Sequence, residues 1–410
     1  MKIWDAKTEC CGCTACANAC PKNCISMIPD DEGFLYPHIN VEECINCKKC
    51  ISVCPIKKNE HRVHPSMAYV MRTRNEQILN SSSSGGLFSG IASYVLQNKG
   101  TLVGVIFDDS FQVQHIVSAE EKEVFKMRGS KYVQSELNDT FSIIQSMLNQ
   151  DELLCFVGTP CQVEGLKRFL GKEYKTLICI DFVCHGVASP LVWKKYVEEL
   201  EILHQSKLVE YSFRSKHKGH HNFGTYAKFE NGDVYLKDDL SDEKDFMHMA
   251  YFNEVCSRPS CHACKFKTVE RCSDLTIFDC WSVDKLTDME DDDKGFSTVL
   301  VHTSKGEKII ENIQKEYIFQ EVDLNKVIEL DGGNAIFSMI PNEKRKEFFE
   351  DFRAGVSLEE LSLRYFLPKK KIFLVLRKMV VTVLKKLGFF MCFRKVYYKL
   401  KQKLYLKGNQ

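Results

Sequence analysis

Apolar residues recur at helical spacing in LFSGIASYVLQNKG, where Leu87, Ile91, Tyr94 and Val95 share one face and Gly100 ends the run. The stretch that follows, TLVGVIFDD, is a short continuous apolar run of the kind a buried strand shows. The alternation then repeats. LLCFVG (153–158) reads as strand, QVEGLKRFLG as helix, KTLICIDFVC (175–184) as strand and PLVWKKYVEELEIL as helix, which predicts an α/β layered domain with parallel strands. YAKFENGDVYLK places Asn231-Gly232 between two alternating runs and predicts a hairpin, so the domain also carries an antiparallel portion and its sheet is mixed. No apolar run reaches the ~18 residues a membrane-crossing helix needs. The nearest, IFLVLRKMVVTVLKKLGFFMCF, is broken by four cations.

Composition alters this picture at the two ends. The chain has 410 residues, 44% of them hydrophobic and 27% charged, enough for two or three compact domains, and 20 are cysteine. The opening MKIWDAKTEC has no basic segment followed by an apolar one, so a cytoplasmic location is expected. Cysteines kept in a reducing compartment do metal or redox work rather than crosslinking. Charge is segregated: residues 369–410 hold 13 Lys or Arg and no acid, which leaves the remainder at about −12. An acidic body is a poor partner for phosphate backbones, and no nucleic-acid binding is expected. The tail places Ile372, Phe373, Leu376, Val380, Val383, Leu384, Leu387 and Phe390 at 3- and 4-residue spacing after Pro368. This predicts a basic amphipathic helix over 369–407, suited to peripheral contact with an anionic inner membrane face or, alternatively, to an acidic protein surface.

The first 60 residues carry an internal repeat. Cys10, Cys13, Cys16 and Cys20 recur 34 positions later as Cys44, Cys47, Cys50 and Cys54, each copy closing on proline, Pro21 and Pro55. This C-x2-C-x2-C-x3-C-P run is the spacing of bacterial two-cluster ferredoxins. Three closely spaced thiolates cap three corners of a 4Fe-4S cubane, and the fourth ligand comes from the other copy. One cluster would take Cys10, Cys13, Cys16 and Cys54, and the other Cys44, Cys47, Cys50 and Cys20. Zinc does not explain a third cysteine at the next step, twice. Cys11 and Cys24 fall outside the register and read as core or loop thiols. The polar KKNEHRVHPS (57–66) reads as a linker, dividing the chain into a two-cluster ferredoxin domain (1–60), a large domain (66–345) and a helical C-terminal region (346–410).

Six stretches of the large domain, SSSSGGLFSGI, RGSKYVQS, GTPCQVEGL, DFVCHGVAS, PSCHACKF and DLTIFDCW, stand in an order that resembles the coenzyme F420 hydrogenase/dehydrogenase beta-subunit family. The resemblance implies an FAD-containing electron-transfer protein with iron-sulfur clusters that exchanges hydride with a deazaflavin. Relatives of that fold act on other substrates, and many bacterial members lie in polysaccharide gene clusters. The expected architecture is therefore a bacterial-type ferredoxin domain, a mixed-sheet α/β flavin-binding domain and a basic helical tail.

Ser84, Gly85 and Gly86 open a helix and could offer bare backbone N–H groups to a flavin dinucleotide, or form an ordinary serine cap; the resemblance favours the former. No G-x-G-x-x-G is present, so a Rossmann nicotinamide site is not indicated. Lys131 is a candidate for the flavin phosphates or the N1–C2 edge, against a solvated surface lysine. Cys161 and Cys184 lie just past the C-terminal ends of two strand patterns, where open α/β sheets bind ligands. With Cys261 and Cys264 they make four thiols for a third 4Fe-4S cluster, a set the resemblance supports. The alternatives are zinc on Cys256, Cys261, Cys264 and Cys272, and inert burial for Cys155, Cys179 and Cys280. His185 is expected to hydrogen-bond beside Cys184 rather than to ligate. Phe278 stands where the family motif has glycine, which would crowd flavin or substrate there. No catalytic residue is assigned; Lys131 and His185 are the candidates for moving protons. The chain is thus expected to be a flavin-dependent iron-sulfur oxidoreductase that takes a ferredoxin-like redox partner and a small hydride donor or acceptor. The competing readings are a non-catalytic electron relay and a flavin-less scaffold.

Overall fold

The computed structural model describes residues 3, 6–57, 61–238 and 245–366; the amphipathic reading of 369–407 lies outside them. Within the cysteine repeat, β1 (Ile25–Pro29) and β2 (Leu35–Ile39) pair antiparallel, Ile25 opposite Ile39. The repeat is visible in the backbone itself. Gly12 and Asn46 have φ of 73° and 55°, and Thr14 and Lys48 both have φ of 60°, each pair 34 residues apart. Each of these left-handed residues follows or precedes one with negative φ, and such alternation turns successive N–H groups toward one concavity, a shape that receives anions. A short helix then follows in both copies, Ala15–Asn18 and Lys49–Ser52.

The large domain contributes β3 (Met67–Thr73), β4 (Thr101–Phe107), β5 (Val113–Ser118), β6 (Leu154–Gly158) and β7 (Leu177–Phe182). β8 (Leu208–Ser215), β9 (Gly224–Phe229) and β10 (Val234–Asp238) form a separate antiparallel sheet, with the predicted hairpin at Asn231-Gly232, where Gly232 takes φ of 91°. The chain then returns to the main sheet as β11 (Leu275–Cys280), β12 (Phe296–Val301) and β13 (Tyr317–Glu321). The order across the eight strands is β13-β3-β12-β11-β7-β6-β4-β5. β4, β6, β7 and β11 are parallel neighbours, and antiparallel strands flank them on both sides, which gives the mixed sheet expected.

Crossover helices cover this sheet. Leu87–Gln97 buries Leu87, Ile91 and Val95 on one face, as the spacing predicts. Pro160–Leu170 begins in a capping box between Thr159 and Gln162 and has proline in its first turn, which satisfies its leading N–H groups. Pro190–His204 buries Trp193, Tyr196 and Leu200 against Tyr211 and Phe213 of β8, and its Trp193 Nε1 donates to the Phe111 carbonyl at 2.6 Å. Helices Arg345–Arg353 and Leu358–Tyr365 insert Phe348, Phe349, Phe352 and Leu361 into this same aromatic core. Among the described residues no helix is long and apolar enough to cross a membrane.

Candidate redox site

Two small cavities lie inside the cysteine repeat. One is lined by Cys10, Cys13, Cys16 and Cys54 together with Cys11, the other by Cys20, Cys44, Cys47 and Cys50 together with Cys24. The fold thus exchanges the fourth thiol of each repeat. Burial and the neighbouring Cys10, Cys54 and Cys50 thiols push Cys16 well above the usual thiol range. Thiols packed like this ionise only when cations sit among them, the condition an iron cluster supplies. Among the described residues no three His, Cys, Asp or Glu side chains converge as they would about a single ion. The thiols of each repeat line a small cavity, an arrangement that suits a cubane. Cys24, set aside in the sequence, lies with its Sγ 3.3 Å from that of Cys20.

A third cavity of about 550 Å³ opens where the ferredoxin module meets the large domain. Its volume falls in the range of small-molecule and cofactor sites. One stretch of its wall is Ser82–Ser84, Gly86 and the start of helix Leu87–Gln97, whose first turn has no side-chain cap. Gly85 is held against the sheet: a Cβ there would meet the Met71 carbonyl oxygen at 2.5 Å, and its N–H donates to Ser297 Oγ at 3.0 Å. Ser84 Oγ donates to the Phe296 carbonyl at 2.6 Å, so this hydroxyl anchors the loop to β12. Gly86 at φ 82° turns the chain into the helix.

Lys131 is on the wall too, but its ammonium points back at the chain. It donates to the carbonyls of Lys126, Arg128 and Gly129 at 3.1, 2.9 and 3.3 Å, closing the end of helix Glu121–Lys126, and burial lowers its pKa to about 7. The neighbouring Arg128 lines the cavity as well. Its guanidinium lies over the Phe125 ring, and its buried Nε and Nη2 have no hydrogen-bond partner. A buried donor left unpaired is costly, and beside a cavity it marks the place where a ligand oxygen belongs. The sequence reading passed over Arg128 although it opens the RGSKYVQS stretch.

Cys161, Cys184, Cys261 and Cys264 all line this cavity, and so does Cys11. Cys161 follows Pro160 at the start of its helix, with Thr159 Oγ1 3.1 Å from its sulfur. Burial pushes Cys184 up to about 12, and the Lys267 ammonium works against that rise. Lys267 donates to the carbonyls of Cys184 and Asn334 at 2.5 and 2.7 Å. Cys256 and Cys272 are buried in two different apolar cores and do not line the cavity, so the zinc set is not assembled. Cys155, Cys179 and Cys280 are buried core thiols. His185 Nε2 lies 2.5 Å from Glu254 Oε1, whose other oxygen accepts from Ser257 at 2.7 Å. Cys11, read from sequence as a spare thiol, is shared between cavities: it lines both the first thiol cage and the large cavity. Its only signal in the sequence is the adjacency Cys10-Cys11.

A third stretch of wall is aromatic. Arg214 pairs with Asp279 at 2.5 Å and lies 4.2 and 5.2 Å from the ring centres of Phe223 and Trp281. Phe278 of β11 reaches the cavity as well while packing near Leu300 and Val327.

Thiol cages leading to a cofactor-sized cavity define an iron-sulfur electron-transfer protein built on a mixed-sheet α/β domain. Comparison with known proteins gives the family. Residues 68–141 match the N-terminal part of the coenzyme F420 hydrogenase/dehydrogenase beta subunit, residues 151–327 match its C-terminal part, and residues 9–58 match the 4Fe-4S dicluster domain. The chain belongs to the coenzyme F420 hydrogenase/dehydrogenase beta-subunit family, whose members are oxidoreductase subunits, and carries a dicluster ferredoxin domain before it. It is 24% identical over 269 residues to the coenzyme F420 hydrogenase subunit beta of Methanococcus voltae, covering 62% of this chain and 84% of that one. It is 23% identical over 307 residues to the coenzyme F420-dependent sulfite reductase of Methanocaldococcus jannaschii, 73% of this chain and 45% of that protein's length. Among solved structures, a chain of the F420-reducing [NiFe] hydrogenase complex from Methanosarcina barkeri superposes with a TM-score of 0.44 at 16% identity, over 72% of this chain and 94% of that one.

Proposed function

We propose that the protein is a flavin-dependent iron-sulfur oxidoreductase. Two 4Fe-4S clusters occupy the ferredoxin cages, a third is held by Cys161, Cys184, Cys261 and Cys264, and FAD occupies the remainder of the 550 Å³ cavity. Bound flavin supplies the conversion between the single electrons of clusters and the electron pairs of a hydride donor or acceptor. The observation that carries this reading is the continuity of one cavity whose wall holds five cysteines, an uncapped helix start and two unpaired guanidinium nitrogens of Arg128. The helix start and Arg128 suit the pyrophosphate, and Gly85, with no side chain, lets that loop lie flat on the sheet. Cys11, on the wall of both the first cage and the large cavity, stands between the two. The aromatic wall around Arg214 suits a planar substrate such as a deazaflavin. A ferredoxin-like protein is the partner that exchanges electrons with the N-terminal module, and the resemblance to bacterial family members points to polysaccharide biosynthesis as the setting.

Anaerobic purification with iron and flavin quantification tests the assignment. Three clusters give about twelve iron per chain, together with one FAD. About eight iron and no flavin would reduce the protein to a ferredoxin module on a scaffold. Flavin that stays oxidised until a partner subunit is added would favour the relay reading.

A further inference from the structure

Arg258 is fully buried, yet it has no carboxylate partner among the described residues. It belongs to the large domain, and its side chain crosses into the ferredoxin module. Nε donates to the Cys10 carbonyl at 2.9 Å, Nη2 to the Leu35 carbonyl at 3.0 Å, and Nη1 to Gln134 Oε1 at 2.9 Å. Its guanidinium carbon lies 4.3 Å from the ring centre of Tyr36 and 5.5 Å from that of Phe34. It also abuts Gly12, where a Cβ would stand 3.1 Å from that carbon. Every acceptor it uses is neutral, so its hydrogen bonds are satisfied while its charge is not. A buried ion kept in this way calls for an opposite charge nearby.

We infer that Arg258 is the counter-charge of the cluster held by Cys10, Cys13, Cys16 and Cys54, and that it raises that cluster's reduction potential. The inference rests on the proposed cluster assignment and adds a role for a residue outside the ligand set. Reduction brings one electron from the redox partner to the cluster, breaks no bond and increases its negative charge by one. A fixed buried cation stabilises the more negative state, and net charge and hydrogen bonding near the cluster are the levers by which proteins set such potentials. Arg258 thereby lets the large domain set the electron affinity of the ferredoxin cluster nearest to it. It is a positioning charge, since it ligates nothing.

The test is an EPR-monitored redox titration of the full-length protein, with iron counted in the same samples. R258Q is expected to keep the wild-type iron content while one midpoint falls by a tenfold or larger change in the reduction equilibrium, ~59 mV for one electron. R258K, which keeps the charge, is expected to stay near wild type. R258Q with full iron and unmoved midpoints overturns the proposal. Should R258Q lose its iron, Q134E sets a carboxylate against Nη1 without removing the arginine. A lowered midpoint in Q134E supports the proposal, whereas unchanged midpoints or loss of iron there as well assigns Arg258 to packing alone and overturns it. Wild-type protein without iron would defeat the cluster assignment itself, and the inference with it.

Discussion

Three arginines do work that their sequence neighbours do not announce. Arg128 presents buried, unpaired guanidinium nitrogens at the cavity, Arg214 is clamped between Asp279 and an aromatic wall, and Arg258 bridges two domains. A charge-assisted hydrogen bond to a ligand is worth about 1.5–3 kcal/mol. On the proposed flavin site, Arg128→Gln should therefore weaken FAD retention by roughly ten- to a hundredfold, measured by flavin release on dilution, with iron content unchanged. The cysteines were legible because thiol spacing encodes cluster geometry directly, as in Cys10, Cys13 and Cys16. The arginines were not, because what a guanidinium does depends on which acceptors and rings surround it after folding. Lys131 shows the same limit from the other side: polar and well placed in sequence, it spends its donors on the end of a neighbouring helix.

At the scale of elements, the parallel centre was readable. LLCFVG and KTLICIDFVC became β6 and β7, and the helix after each begins at a proline, Pro160 and Pro190. The antiparallel flanks were not legible. β12 is buried at every position, so its six residues show no alternation to separate strand from buried helix. β3 pairs with β12 and β13, both more than 200 residues away, and no local pattern reports such a partner. The small sheet β8–β10 packs on an aromatic cluster in which Trp193 touches several rings. Trp193 packs against Phe107, Tyr211 and Phe213 with ring centres 5.5, 4.7 and 5.1 Å away. Trp193→Ala should cost about 3–5 kcal/mol, read from chemical denaturation followed by tryptophan-independent far-UV signal.

Across the molecule, neutral histidines are buried in separate places. His115 stacks on Phe156 at 5.5 Å, His220 stacks on Trp281 at 4.5 Å, and His302 contacts Thr276 Oγ1 at 2.9 Å. Burial lowers the pKa of each to about 4. The unfolded chain takes up protons near pH 6.5 while the folded chain resists until about pH 4, so stability is full above the former and lost as pH falls between the two. Melting temperature should drop across that window, and His115→Phe should flatten the slope; an unchanged slope would place the acid sensitivity elsewhere. The seam between the two domains has a consequence for anyone wishing to borrow parts. Gly12 must leave room for Arg258, and Gly33, with φ of 85°, lies where a Cβ would meet the Leu191 backbone nitrogen at 2.8 Å. A foreign ferredoxin with the right cysteines but larger residues at these two places would not seat on this domain. What looks like an interchangeable cartridge is cut to a single socket, and transplants must carry its two notches along with its metal cages.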